Sequence, residues 1–288
     1  MDRESHVDMA AETILRFKPD ILLIGGWSRG YQRLVQVLST RKTFPILSVY
    51  HSTVFHGRFF GDDIYLPQVE QSYHAKHVDY MGFVDPRTAL YYQQVKKIPA
   101  IFVPHKFELA SAVNPPSPNQ QFRIGVLGGV DAWYKNAFGA AVIARDFAAN
   151  HPGVSIVAPP GYDKPRHTFL EDVLGKCHVL IHISHLECYS NTIQEAWARG
   201  IPVIFGPSAD GLTRSQLVDD VDRAGLEQLR VESPIDAVSL YELLNVVYND
   251  WAVQSKLVHT IYARLAAKTE TYNRELAARL VRNFRSQG

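Results

Sequence analysis

The chain has 288 residues, 46% hydrophobic and 20% charged, and its 30 Lys+Arg against 29 Asp+Glu leave a formal charge of +1. That balance argues against a nucleic-acid or membrane surface built on bulk charge, and two cysteines, Cys177 and Cys188, are too few for a disulfide framework. The opening MDRESHVDMAAETILRF is charged without the apolar core of a signal peptide, and no stretch approaches the roughly 18 apolar residues of a membrane span; the expectation is a soluble, cytoplasmic protein.

The first helical segment, DMAAETILRF, is not basic, as a membrane-surface helix would be. Short apolar runs then alternate with helical spacing. The runs are DILLIGG (20–26), PILSVYH (45–51), VDYMGFV (78–84), PAIFVPH (99–105), FRIGVLGG (122–129), VSIVAPP (154–160), HVLIHIS (178–184) and PVIFG (202–206). Most are rich in Val, Ile and Leu with little alternation, the pattern of parallel strands covered on both faces. Helical spacing occupies 29–40, 86–97, 136–150, 167–176 and 190–199. Strand–helix alternation on this scale predicts βαβ units and open parallel sheets.

SAVNPPSPNQQ (111–121) holds three prolines and few apolar residues and reads as a linker. The predicted organisation is an N-terminal α/β domain (1–112), a linker (113–121), a C-terminal α/β domain (122–265) and a C-terminal helix (266–288) returning to the N-terminal domain. From 234 on the spacing is helical only, with Ser233 as N-cap and Pro234 at N1, and a last helix at 273–284. Ligands of open α/β sheets bind beyond the carboxyl ends of the strands. Gly25-Gly26, His51, His105, Gly128-Gly129 and Glu187 all fall there.

The segment HLECYSNTIQEAWARGIPVI (185–204) carries the most chemistry. Glu187 ends a strand, Ser190, Asn191 and Thr192 form a polar turn, and Glu195 lies one turn into a helix. Ser190 or Asn191 caps that helix, whose first amides favour an anion. Lys135, in GGVDAWYKN (128–136), opens another helix and offers a point charge to phosphate. On spacing alone the plainer alternative is that Glu195 pairs with Arg199 at i,i+4 and Glu187 is a solvated loop carboxylate. Gly128-Gly129 lacks the G-x-G-x-x-G spacing of nicotinamide enzymes. His182 and His185 are read as structural, since no nearby set of ligands completes a metal site. Asp220-x-Asp222, a spacing used for metal–nucleotide binding in other transferases, is read as solvated.

The block ECYSNTIQEAWARGIPVIFGPS resembles the donor-site signature of family 4 glycosyltransferases, through Glu187, Glu195, Ala196, Gly200, Pro202, Val203 and Ile204. FKPDILLIGG, PILSVYHS, KKIPAIFVPHKFE and FRIGVLGGVDAWYKN are similar to further strands of that family, so the resemblance covers most of the chain. It implies the GT-B fold, two Rossmann-like domains facing a cleft, here with a reduced N-terminal domain. It further implies a retaining, metal-independent transfer of a sugar from a nucleotide diphosphate sugar, with no cofactor, to an unidentified acceptor: a glycan, lipid, small molecule, protein or modified DNA base. By resemblance, Glu195 binds the ribose, and the amides around Ser190, Asn191 and Thr192, with Gly128 and Gly129, take the diphosphate. Glu187 faces the donor sugar, Lys135 neutralises the leaving phosphate, and His51 reaches the sugar or acceptor. Gly25, Gly26, Trp27 and Arg58 line the acceptor side. This chain departs from the family in having no arginine between Arg123 and Lys135, Cys188-Tyr189 in place of Phe-Gly, and His105-Lys106 in place of Asn-Gly; Lys164 and Arg166 are the candidates to take the arginine's place. A non-catalytic sugar-nucleotide-binding protein and a GT-B sugar-nucleotide epimerase remain the alternatives.

Overall fold

The structure, a computed structural model, describes residues 3–51, 65–109, 121–126, 135–157 and 173–286. The chain divides into two compact units, Met1–His105 with Glu270–Gly288, and Lys106–Thr269. The segment read as a linker lies almost wholly outside the described residues.

The first unit runs α1 (Arg3–Phe17), β1 (Leu22–Gly25), α2 (Arg29–Ser39), β2 (Ile46–Tyr50), α3 (Tyr65–His74), β3 (Tyr80–Phe83), α4 (Pro86–Gln94) and β4 (Ile101–Phe102). Local signals start two of its helices. The Ser28 side chain accepts from the Tyr31 N–H at the head of α2. Asp85 accepts from the Arg87 N–H ahead of Pro86 in α4. The strands pair in parallel in the order β1-β2-β3-β4. Side-chain alternation gives the sheet two faces. Leu22 and Ile24 of β1 and Ile46 of β2 pack with Ala11, Leu34, Val35 and Leu38 from α1 and α2. On the other face Leu23, Leu47 and Val49 line a half-open cavity of about 290 Å³. Gly82 of β3 lets the sheet close, since a Cβ there would sit 2.7 Å from the Val103 side chain.

The second unit runs β5 (Phe122–Val126), α5 (Ala137–Asn150), β6 (Val154–Val157), β7 (Val179–His182), α6 (Asn191–Trp197) and β8 (Val203–Phe205). The short α7 (Asp210–Thr213), α8 (Asp220–Glu227), α9 (Ala237–Asn249) and α10 (Trp251–Arg285) follow. Its parallel sheet has the order β6-β5-β7-β8. All four residues of the internal strand β7 are buried, which explains its continuous apolar run.

Three expectations need correction. Helix α9 begins three residues later than Pro234, because Asp236 supplies the cap: its carboxylate accepts from the Ser239 N–H at 3.0 Å. No separate helix starts near residue 273; α10 continues for 35 residues, with Thr269 fully buried within it. Packing overrides the weak helix propensity of TETYN. Asp222 is not solvated: it is 5% exposed and pairs with Arg264. Asp220, 95% exposed at its side chain, pairs with Arg223 one turn on. Beyond Thr269, α10 belongs to the first unit, where Tyr272 Oη donates to the Phe102 carbonyl (3.1 Å) and Asn273 Nδ2 to that of Pro104 (2.8 Å).

Candidate functional site

The order β6-β5-β7-β8 contains a reversal: the chain leaves β5 for β6 on one side and places β7 on the other. Such a switch point opens a crevice at the carboxyl ends of the strands. Both chain segments leaving it carry ionisable groups.

After β5, the described chain resumes at Lys135, next to Asn136. Asn136 adopts the left-handed region (φ 50°), which a short polar side chain tolerates better than most. Its Nδ2 donates to the Pro234 carbonyl at 2.7 Å. Gly139 leaves room for that side chain, since a Cβ there would lie 2.7 Å from Asn136 Oδ1. Lys135 is thus fixed at the head of α5 by its neighbour. After β7, Ser184 Oγ donates to the Leu186 carbonyl (2.8 Å) and Tyr189 is 1% exposed, so the loop bearing Glu187 is tied at both ends.

These segments meet at Glu187. Lys135 Nζ lies 2.6 Å and His182 Nε2 2.8 Å from the same oxygen, Oε2, while Oε1 accepts from the Cys188 N–H at 3.2 Å. The Glu187 side chain is 10% exposed and that of Lys135 21%. Burial by itself would raise the Glu187 carboxyl, but the His182 hydrogen bond and the charges of His182 and Lys135 outweigh it and hold the group well below the usual carboxylate range. Glu187 is therefore not the solvated loop carboxylate of the plainer reading.

Ser190 caps α6 by accepting from the Ile193 N–H at 3.4 Å, and its Oγ also lies 3.4 Å from His182 Nε2. The first intrahelical bond is Gln194 N–H to the Ser190 carbonyl (3.3 Å), which leaves Asn191 and Thr192 ahead of the ladder. With seven residues, α6 has a small dipole, so amides rather than a macrodipole would serve an anion there. Glu195 is 3% exposed. Arg199 reaches its backbone carbonyl (3.1 Å). Burial, opposed by the hydrogen bond with the Phe107 backbone and assisted by the Glu195 charge, pushes the Tyr262 phenol up to about 12.

His182 makes a contact that sequence reasoning did not foresee. As a histidine in an otherwise apolar strand it read as structural, yet it touches Glu187. The usable signal was its spacing, five residues before Glu187 across a strand end.

In the first unit, Gly25 and Gly26 close β1, Gly26 with φ 83°, and a Cβ on Gly25 would lie 3.3 Å from His51 Nε2. His51, exposed overall, follows β2; its ring and that of His105 lie 6.5 Å apart at 28°. Desolvation lowers the His51 pKa. Trp27 packs against the α1–α2 core, and its indole N–H has no acceptor among the described residues. Gly128, Gly129, Arg58, Lys164 and Arg166 lie outside the described residues.

Neither any model of a protein family nor any curated protein matches the chain. Solved structures do. A UDP-forming α,α-trehalose-phosphate synthase from Burkholderia xenovorans superposes with a TM-score of 0.63 at 12% identity, over 98% of this chain and 78% of its own. A trehalose-6-phosphate protein of E. coli bound with UDP-2-fluoro glucose gives 0.62 at 13%, over 96% and 77%. A sucrose-phosphate synthase from Thermosynechococcus elongatus gives 0.60 at 13%, over 98% and 77%. The chain therefore has the fold of the GT-B glycosyltransferases, with two Rossmann-like α/β units.

Proposed function

We propose that this protein is a glycosyltransferase of the family 4 type, moving a sugar from a nucleoside diphosphate sugar to an acceptor with retention and without a metal. The observation that carries the reading is the Lys135–Glu187–His182 cluster at the switch point of the second sheet. Lys135 would serve a diphosphate leaving group as it gathers negative charge, and stabilising that charge as it grows is what lowers a barrier. Glu187 would face the donor sugar. Glu195 would take the ribose hydroxyls, and the amides of Asn191 and Thr192 the diphosphate. Retention and metal independence rest on the likeness of the 187–204 block to family 4. His51, with Gly25, Gly26, Trp27 and Arg58, would form the acceptor side.

A panel of nucleoside diphosphates and their sugars, screened by thermal shift and then by release of free nucleoside diphosphate, tests the reading. One nucleotide series should raise the melting temperature, and its sugar should be consumed with nucleotide release. Conversion of the donor to another sugar nucleotide with no acceptor would favour an epimerase. Binding without turnover would leave a sugar-nucleotide-binding protein.

A further inference from the structure

The half-open cavity of the first unit lies beside His51 and outside the donor chemistry of the second. Its floor is Leu23, Leu47 and Val49, and its wall is the end of α10 that belongs to this unit. Asn273, Leu276, Ala277 and Leu280 keep the i, i+3, i+4, i+7 spacing of one helical face, and all four line it. Both ends of that stripe are tied to the sheet. Asn273 Nδ2 donates to the Pro104 carbonyl beyond β4 (2.8 Å), and the Leu280 carbonyl accepts from Tyr80 Oη at the start of β3 (3.1 Å). The helix therefore runs antiparallel to the strands, and the cavity has two unlike ends. His51, His105 and Asn273 stand at the carboxyl end, Ile21 and Leu280 at the other.

This lining selects a ligand chemistry. No Lys, Arg, Asp or Glu occurs among the described lining residues, so a phosphate or carboxylate drawn inside would lose water without meeting a fixed counter-charge. Burying carbon is rewarded instead, by up to about fourfold in affinity per methylene. The volume is about 290 Å³, roughly twice the 150 Å³ or so of an apolar cavity that holds benzene. It suits one ring or a short chain, not a peptide strand. A hydroxyl at the carboxyl end would keep polar surroundings while the rest of the molecule is buried. We propose that this cavity is a binding site for a small amphipathic alcohol, its alkyl or aryl arm along Leu23, Leu47 and Ala277 and its hydroxyl beside His51. The role of that alcohol as sugar acceptor rests on the acceptor-side reading of His51 above; its binding does not. Ala277, the smallest side chain of the α10 stripe, keeps the helix side of the cavity open.

The test is methyl NMR of the full chain, labelled at Leu and Val and titrated with ethanol, butanol and hexanol without any nucleotide. Hexanol should shift the resonances of Leu23, Leu47, Val49 and Leu280, while Val179, Leu180 and Val203 of the second sheet stay in place. Affinity should climb from ethanol to hexanol by up to about fourfold per methylene. Ala277→Leu fills the cavity with a residue of high helix propensity and should weaken hexanol binding at least about tenfold. Leu23→Lys, at a position 55% exposed, sets a charge beside the arm and should weaken it at least about threefold. The methyl spectrum shows whether each variant is folded, and either folded one suffices. Shifts spread equally over both sheets, an affinity independent of chain length, or folded variants that bind hexanol like wild type would overturn the site. These results are read without donor. They are therefore distinct from wild type failing to bind or turn over any nucleoside diphosphate sugar, which would overturn the acceptor role together with the reading it rests on.

Discussion

The two units are built from the same parts, four parallel strands with helices between them, yet they differ in winding. In the first, strand order follows chain order, so right-handed crossovers carry the intervening helices to one face. That face holds the α1–α2 core, while the other leaves Leu23 at 55% exposure beside an apolar cavity. In the second, the reversal at β5 opens a crevice, and Lys135, His182 and Glu187 converge there. The contrast teaches that strand order, more than strand composition, decides where a sheet collects charge. Apolar strands of similar sequence end in an apolar groove in one unit and in an ion-paired cluster in the other.

The sharpest way to break this comparison is to remove the charge from the second unit. Lys135→Ala should lower kcat at saturating donor by roughly 10²–10³-fold, the usual loss when one stabiliser of transition-state charge is deleted. A change confined to KM would make the lysine a binding residue instead. Glu195→Ala should weaken nucleoside diphosphate binding by about tenfold to a hundredfold, as expected for losing a hydrogen bond to a charged group; an unchanged Kd in calorimetry would remove the ribose assignment.

A further prediction separates the scaffold of the second unit from its site. Burial, helped by the Arg123 charge, depresses the His178 imidazole to about 4, and its Nδ1 accepts from the Arg123 N–H at 3.0 Å. The unfolded chain, with the ordinary value near 6.5, binds the proton first. Stability from this group is therefore complete above about pH 6.5 and falls as pH drops toward 4, by about 2 kcal/mol at pH 5. Denaturant melts across that window should show the slope, and His178→Asn should flatten it. The smallest effect belongs to the first unit. Leu23→Lys on its exposed face should change stability by no more than about 0.5 kcal/mol and leave nucleoside diphosphate affinity within error; a clear loss of that binding would place the nucleotide on the wrong sheet.

Much of this was legible in the sequence, because buried parallel strands leave continuous apolar runs. All eight apolar runs contain a strand. Lys135, Glu187 and the Ser190 cap were legible too, since strand-end position and polarity mark such residues locally. Strand order was not, because reversal at β5 depends on contacts far apart in sequence. The contact of His182 with Glu187 was hidden for a related reason: strand periodicity says that His182 is buried, not that Glu187 folds back over it. Asp222 was misread as solvated because its partner, Arg264, lies 42 residues away. The end of α9 nearest Pro234 was missed where a later aspartate outcompeted a serine as cap.

The central claim is that the donor diphosphate binds at the switch point of the second sheet. Hydrogen–deuterium exchange with and without a saturating amount of the nucleoside diphosphate that raises the melting temperature most tests it most directly. Slower exchange should concentrate in peptides covering 135–140 and 182–197, with no change over 22–51. Protection over 22–51 instead, or none anywhere while the nucleoside diphosphate is demonstrably bound, would contradict the account.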